Sequence, residues 1–271
     1  MPRFRLLIEY AGTRYSGWQI QKNARTVQGE IDRAIRHVFE PREFELYGSG
    51  RTDAGVHALA QVAHLELYTS VQPETLRRRL NDELPADIHI IRADRAPHRF
   101  HARHDAIART YLYQISTRRT AFGKPFVWWV REPLDLDAMR RAAAHFIGRK
   151  DFEAFTDDDP EKKSTVVLVE RLDIAEAGAL VLVRITGSHF LWKMVRRVVG
   201  VLAAVGRGEL EATRAANALD GPDVARMTAP ASGLFLERVH YEQADQPESL
   251  APVVRVGDDK SRHSAGGRPR R

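Results

Sequence analysis

The chain reads as an α+β protein built from two ferredoxin-like βαββαβ halves, a mostly antiparallel sheet with helices packed on one face. Three observations predict this. Apolar residues alternate with period two, then switch to helical spacing, in the order strand, helix, strand, strand, helix, strand. The same order returns after a junction at 95–107 that carries Pro97, His98, His101 and His104. The spacing between the two copies is too long, and their residue identity too low, for a solenoid repeat.

The elements follow in chain order. Phe4, Leu6, Ile8 and Tyr10 share one face of a strand over 3–10, which Ala11-Gly12-Thr13 ends. Val27, Ile31, Ile35 and Val38 lie at helical spacing over 26–39, with Thr26 placed as N-cap. A short strand at 44–48 enters the loop GSGRTDAG, and a second strand runs from about 58 to 68. Pro73 opens a helix where proline is tolerated, and Leu76, Leu80 and Leu84 form its stripe. A strand at 88–93 closes the first half.

In the second half Tyr111, Tyr113 and Ile115 alternate on a strand, and 126–130 is an added extended segment. A helix over 137–147 turns Met139, Ala143 and Phe146 inward. Strands follow at 166–174 and 179–186. The most apolar helix spans 190–206, with Leu191, Val195, Val198, Leu202 and Val205 on its stripe. A helix near 209–219 and a strand near 234–241 complete the copy. The expected domains are 1–105, 106–245 and a disordered basic tail at 246–271, which has no periodicity and ends in GGRPRR.

Composition excludes several classes. The chain has 271 residues, 43% hydrophobic and 29% charged, which is ordinary for a globular protein able to bury a core. It has no cysteine, which removes disulfides, thiolate metal sites, iron–sulfur clusters and cysteine nucleophiles, and fits a cytoplasmic protein. No run approaches the ~18 apolar residues of a membrane span. The opening MPRFRLLIEY is too short and too interrupted by Arg5 and Glu9 for a signal peptide. The net charge is +6, and arginines cluster at Arg77-Arg78-Arg79, Arg99 to Arg109, Arg118-Arg119 and Lys193-Arg196-Arg197. Such clusters are either solvated surface or a nucleic-acid face.

The sharpest local feature is Gly48 to Ala58, with three glycines around Arg51-Thr52-Asp53. In one reading Asp53 bonds its own backbone in a turn. A nucleotide loop fails, because the third glycine of G-x-G-x-x-G would fall on Asp53 and a strand rather than a helix follows. His98, His101 and His104 sit among arginines, so they read as a basic RNA-contacting segment rather than a metal site. HExxH, GxSxG and Walker patterns are absent.

GRTDAGVHA at 50–58 resembles the active-site motif of the TruA-type tRNA pseudouridine synthases. Further stretches resemble that family in the same order: YAGTRYSGWQIQ (10–21), FHARHDA (100–106), RTYLY (109–113), FLWKMVRRVVG (190–200) and SGLFLERVHY (232–241). The resemblance spans about 3–241. It implies a duplicated ferredoxin-like fold and isomerisation of uridine to pseudouridine at positions 38, 39 and 40 of the tRNA anticodon stem-loop. It also implies a homodimer, no cofactor and no metal. Carried over, Asp53 is the catalytic carboxylate, Tyr111 the residue that stacks on the target base, and Arg196 the partner of Asp53. Arg51 matches an arginine that helps hold the flipped-out geometry. His57, Arg103, Arg109, Lys193 and Arg197 are the further expected RNA contacts. The chain departs from the family pattern at 157–170, where Val167 replaces an expected arginine, and at His189 and Trp192.

The residue types suit that chemistry. A carboxylate serves as nucleophile or base, and a nearby guanidinium favours its charged form inside a closed pocket. An aromatic platform offsets part of the few kcal/mol that base flipping costs. Taken without the motif, Tyr111 has the alternative of a core strand tyrosine, which describes Tyr113 better, and Arg196 reads rather as a helix surface charge. The rival reading is a non-catalytic RNA-binding protein on the same fold, which accounts for the basic clusters but not for an acid in the cleft.

Overall fold

The computed structural model describes residues 1–212, 224–242 and 249–257. In the first half, β1 (Arg3–Tyr10) buries Phe4, Leu6, Ile8 and Tyr10, the alternation the sequence predicts. α1 (Val27–Phe39) starts where the Thr26 hydroxyl accepts from the Gly29 amide at 3.2 Å. β2 (Phe44–Gly48), β3 (His57–Leu67), α2 (Pro73–Glu83) and β4 (Ile88–Ala96) follow. The strands lie antiparallel in the order β4-β1-β3-β2.

The second half repeats this with β5 (Ala108–Ser116), α3 (Leu136–Ala144), β8 (Val166–Ala177), β9 (Leu180–Gly187), α4 (Met194–Gly206) and β10 (Leu234–His240). Two short strands are added, β6 (Trp128–Trp129) along β5 and β7 (Gly148–Asp151) along β8. The order β10-β5-β9-β8 is that of the first half. β7 has no counterpart in the sequence reading, because GRKD carries no apolar alternation.

The halves join in one continuous sheet. β2 covers β3 only from Ala63 to Leu67. At the start of β3, His57 and Ala58 pair in parallel with Phe235 and Leu236 of β10. Val27, Ile31, Ile35, Leu76 and Leu80 of the helices pack on Phe4, Leu6 and Ile8 in one core. Met139, Ala143, Val198 and Leu202 pack on Tyr113, Ile115, Val183 and Ile185 in a second. Tyr111 borders both. In the second half, Leu112 and Leu182 point to the opposite face, where they meet Val127 and Val256.

Three expectations change. The helix expected over 190–206 begins at Met194, because the Trp192 amide donates to Asp158 Oδ2 at 3.2 Å and Lys193 takes a left-handed conformation at φ 63°. The reading of 246–271 as a disordered tail does not hold for 249–257. Val256 is buried against Leu112 and Leu182, and Val253 donates to Gln114 Oε1 at 2.7 Å. Residues 258–271, and most of the helix expected near 209–219, lie outside the described residues. Finally, Val167 is fully buried in β8, so it occupies a core position rather than an RNA-facing one.

Candidate active site

Asp53 sits on the loop between β2 and β3, over the seam where β10 takes up the edge that β2 leaves. The turn is closed through the main chain, with Val56 N donating to Asp53 O at 3.1 Å. The carboxylate is therefore not engaged as the turn reading of the sequence supposed. It reaches across the seam to Arg196, whose Nη1 lies 3.3 Å from Asp53 Oδ2. Both side chains are largely shielded, at 17% and 24% exposure for Arg196 and Asp53. Arg196 is itself fixed, since its Nε donates to Ala229 O at 2.7 Å and Ala229 N donates back to Arg196 O at 3.1 Å.

The loop is braced from two sides. Gln61, fully buried, accepts from the Ser49 hydroxyl at 2.7 Å and donates to Gly50 O at 3.1 Å. The Tyr10 hydroxyl meets Thr52 Oγ1 at 2.7 Å. From the other side Trp18 N donates to Thr52 O at 3.1 Å, and Gly55 N donates to Tyr15 O at 3.2 Å. Gly17 makes this approach possible. It stands at φ 93°, and a Cβ there would fall 2.5 Å from Thr52 O. The stretch at 10–21 thus acts as the brace of the Asp53 loop.

Tyr111 comes from the centre of β5 and faces the same space. Burial, with the negative charge of Asp53 adding to it and Arg109 opposing it, pushes its phenol up to about 12. It is a neutral aromatic surface at physiological pH. The Phe190 ring stands edge-on to it, with centroids 5.3 Å apart and planes at 89°. The arrangement offers a fixed carboxylate, paired with a guanidinium, beside an aromatic wall.

The other expected site residues divide. Arg51 and Arg103 are exposed and line a common notch next to the loop. Arg109 is instead an internal clamp. Its two terminal nitrogens donate to Ala106 O, Ser188 O, Ser49 O and Arg103 O at 3.0–3.1 Å, which ties the loop to the end of β9. Lys193 pairs with Asp157 at 2.6 Å, and Arg197, 3% exposed, pairs with the same carboxylate. His57 is 1% exposed and lies outside the cleft. Its Nδ1 accepts from Gly12 N at 3.0 Å, its Nε2 donates to Pro125 O at 3.0 Å, and its ring stacks on Phe235. Burial holds it below the usual imidazole range, so it is neutral. The sequence reading gave no role to Tyr10, Trp18, Gln61, Phe190 or Asp157. Tyr10, Trp18 and Phe190 lie inside stretches that resemble the family, which was the signal available for them as site residues.

A shielded carboxylate held by a guanidinium beside an aromatic wall, on a doubled ferredoxin-like sheet with open arginines at its rim, defines an enzyme acting on nucleic acid rather than a passive binder. Comparison with known proteins agrees. The family model described as tRNA pseudouridine synthase matches residues 6–105 and 142–242. "tRNA pseudouridine synthase A" of Pelobacter propionicus is 42% identical over 245 residues, covering 89% of this chain and all of that one. The protein of the same name from Rhodopseudomonas palustris is 41% identical over 247 residues, and "tRNA pseudouridine synthase A 2" of Bacillus cereus 38% over 246, with the same coverage. The chain belongs to the tRNA pseudouridine synthase family. Among the described residues no helix is long and apolar enough to cross a membrane, and no cluster of three or more His, Asp or Glu could hold a metal ion.

Proposed function

We propose that this protein isomerises uridine to pseudouridine in tRNA, at positions 38, 39 and 40 of the anticodon stem-loop, acting as a homodimer in the cytoplasm. The observation that carries the reading is the Asp53–Arg196 contact at 3.3 Å beside Tyr111, made across the seam of the two halves. The reaction breaks the C1′–N1 glycosidic bond, turns the uracil and joins C1′ to C5. The C5 proton is lost and N1 gains one, so the sum is an isomerisation with no redox change and no call for a cofactor.

Asp53 supplies the carboxylate that acts as nucleophile or base, and Arg196, 3.3 Å away, holds it aimed into the cleft. Tyr111, with its phenol near 12, stays protonated. Its part is to stack on the turned-out uracil, an interaction worth ~1–3 kcal/mol, which offsets part of the cost of flipping. The rival, a non-catalytic RNA binder, gives Asp53 nothing to do, because an acid in the cleft repels phosphate.

The test is tritium release from tRNA labelled at uridine C5, with uridines 38, 39 and 40 replaced one at a time by cytidine. Release that falls with each replacement supports the reading. Release from none of the tRNAs, with binding intact, favours the rival. Sedimentation of the protein at micromolar concentration tests the dimer, and a monomer at that concentration overturns it.

A further inference from the structure

Of the five arginine and lysine side chains expected to touch RNA, Arg109 is taken up by carbonyls, Arg197 is buried on Asp157, and Lys193, about one-third exposed, pairs with the same carboxylate. Arg51 and Arg103 differ. Both are exposed, and neither has a carboxylate within ion-pair reach among the described residues. They converge on a notch of about 30 Å³ whose further wall is Tyr47 of β2.

Tyr47 is built as a platform. It is 36% exposed, and one side of its ring is backed by His64, stacked at 5.8 Å with planes 16° apart. His101 meets it at 5.0 Å. Both histidines are fixed by main-chain donors: His64 Nδ1 accepts from Ala102 N at 3.1 Å, and His101 Nδ1 accepts from the Arg103 and His104 amides at 3.1 and 3.2 Å. Burial and the neighbouring His101 bring His64 down to about 4, so it backs the tyrosine as a neutral ring. The segment 101–104 that sets these rings also places Arg103. An exposed aromatic on a rigid backing, flanked by two unpaired guanidinium groups, is the pattern that takes a base on its face and a phosphate at its edge.

We infer that Tyr47, Arg51 and Arg103 form a second nucleotide subsite, in which Tyr47 stacks on a base of the bound RNA strand and the two arginines take its phosphate. Arg51 is two residues from Asp53, a span of at most ~7 Å along the chain. The subsite therefore receives a nucleotide adjoining the uridine that is turned out. The inference rests on the proposed tRNA reading, and it adds a contact that holds the strand on the first half while the second half presents Tyr111.

The test uses anticodon stem-loop RNA with 2-aminopurine on one or the other side of the target uridine, whose fluorescence is quenched by stacking. Quenching is expected at one of the two positions with the wild-type protein and with Tyr47→Phe, and is lost with Tyr47→Ser. Tyr47→Ser weakens binding about 5- to 100-fold, the range for one stacked base. Arg103→Gln lowers the slope of log Kd against log salt by about 1. In Tyr47→Ser the loss appears in Kd and KM, and tritium release under single turnover at saturating RNA keeps its rate. Unchanged quenching and affinity in Tyr47→Ser overturns the subsite. So does a lost rate at saturation with unchanged Kd, which makes Tyr47 a mere support of the loop. If Tyr47→Ser fails to fold, the quenching position and the Arg103→Gln slope decide alone. If the wild type binds and quenches but releases no tritium, the functional reading fails and the subsite stands.

Discussion

The two halves share the strand order 4-1-3-2, yet they treat one connection in opposite ways. In the second half β8 and β9 pair as far as Ala177 and Leu180, and Gly178 at φ 61° turns the hairpin within two residues. In the first half the equivalent strand β2 stops at Gly48, opposite Ala63, and residues 49–56 form a loop before β3 begins at His57. The shorter strand leaves the start of β3 uncovered, and β10 of the other half pairs there. One truncation thus creates the Asp53 loop and also brings in the half that supplies its partners. The acid sits on a loop and must be braced by residues 10–18 and Gln61. Tyr111 is held by its strand alone, and Arg196 by its helix and by the paired bonds to Ala229.

Variants that remove what crosses the seam have the largest expected effect. Arg196→Met leaves the Asp53 carboxylate without its partner, and the single-turnover rate of tritium release falls about 10²–10³-fold, the range for loss of one aimed donor. Arg196→Lys does not restore it, because a lysine cannot bond Ala229 O and Asp53 together. Equal rates in wild type and Arg196→Met would break the comparison. Tyr111→Leu costs about 5- to 100-fold in kcat/KM through lost stacking, while Tyr111→Phe stays within about tenfold of wild type.

The brace itself is tested by paired glycine substitutions. Gly17→Ala sets a Cβ 2.5 Å from Thr52 O at φ 93°, with an expected loss of about 1–3 kcal/mol in urea unfolding and a matching displacement of the Asp53 loop that lowers the rate. Gly178→Ala carries a backbone cost of about 1–2 kcal/mol in the C-terminal hairpin. It leaves the rate intact, because that turn holds no catalytic group. Should Gly178→Ala lower the rate as much as Gly17→Ala, the division of labour between the two connections is wrong.

The smallest effect concerns pH. His57 and His64, on β3 of the first half, are buried as neutral rings with lowered affinity for protons. The unfolded chain takes up those protons near pH ~6.5, and the folded chain only below that, toward about 4 for His64. Their contribution to stability is therefore fully present above ~6.5 and is lost as the pH falls from there toward about 4. Urea midpoints should decline over that window, and His64→Phe should flatten the decline. An unchanged pH profile in His64→Phe removes the assignment.

Much of this was legible in the sequence because period carries burial. Phe4, Leu6 and Ile8 fixed β1, and Thr26 fixed the start of α1, since each depends on near neighbours alone. The motif at 50–58 located Asp53, and its spacing from Arg196 was available only through resemblance. What stayed hidden depends on distant partners. Nothing near Asp157 announces Lys193 and Arg197, some 36 to 40 residues away, and that pairing buries Arg197 and gives Lys193 a carboxylate partner. His57 follows the Asp53 loop in sequence, but it opens β3 beside Ala58, and alternation sends the two side chains to opposite faces. Val256 lies in a segment with no period, and only the apolar back of β5 and β9 explains why it packs there.

The central claim is that Asp53 performs the chemistry while the rest of the cleft holds the RNA. The direct measurement is tritium release from C5-labelled tRNA by wild type and by Asp53→Asn, with Kd for the same tRNA determined in parallel. The expected result is release by the wild type, a loss of at least about 10³-fold in Asp53→Asn, and Kd values that agree within a few fold. Release that persists in Asp53→Asn at a comparable rate would contradict the account.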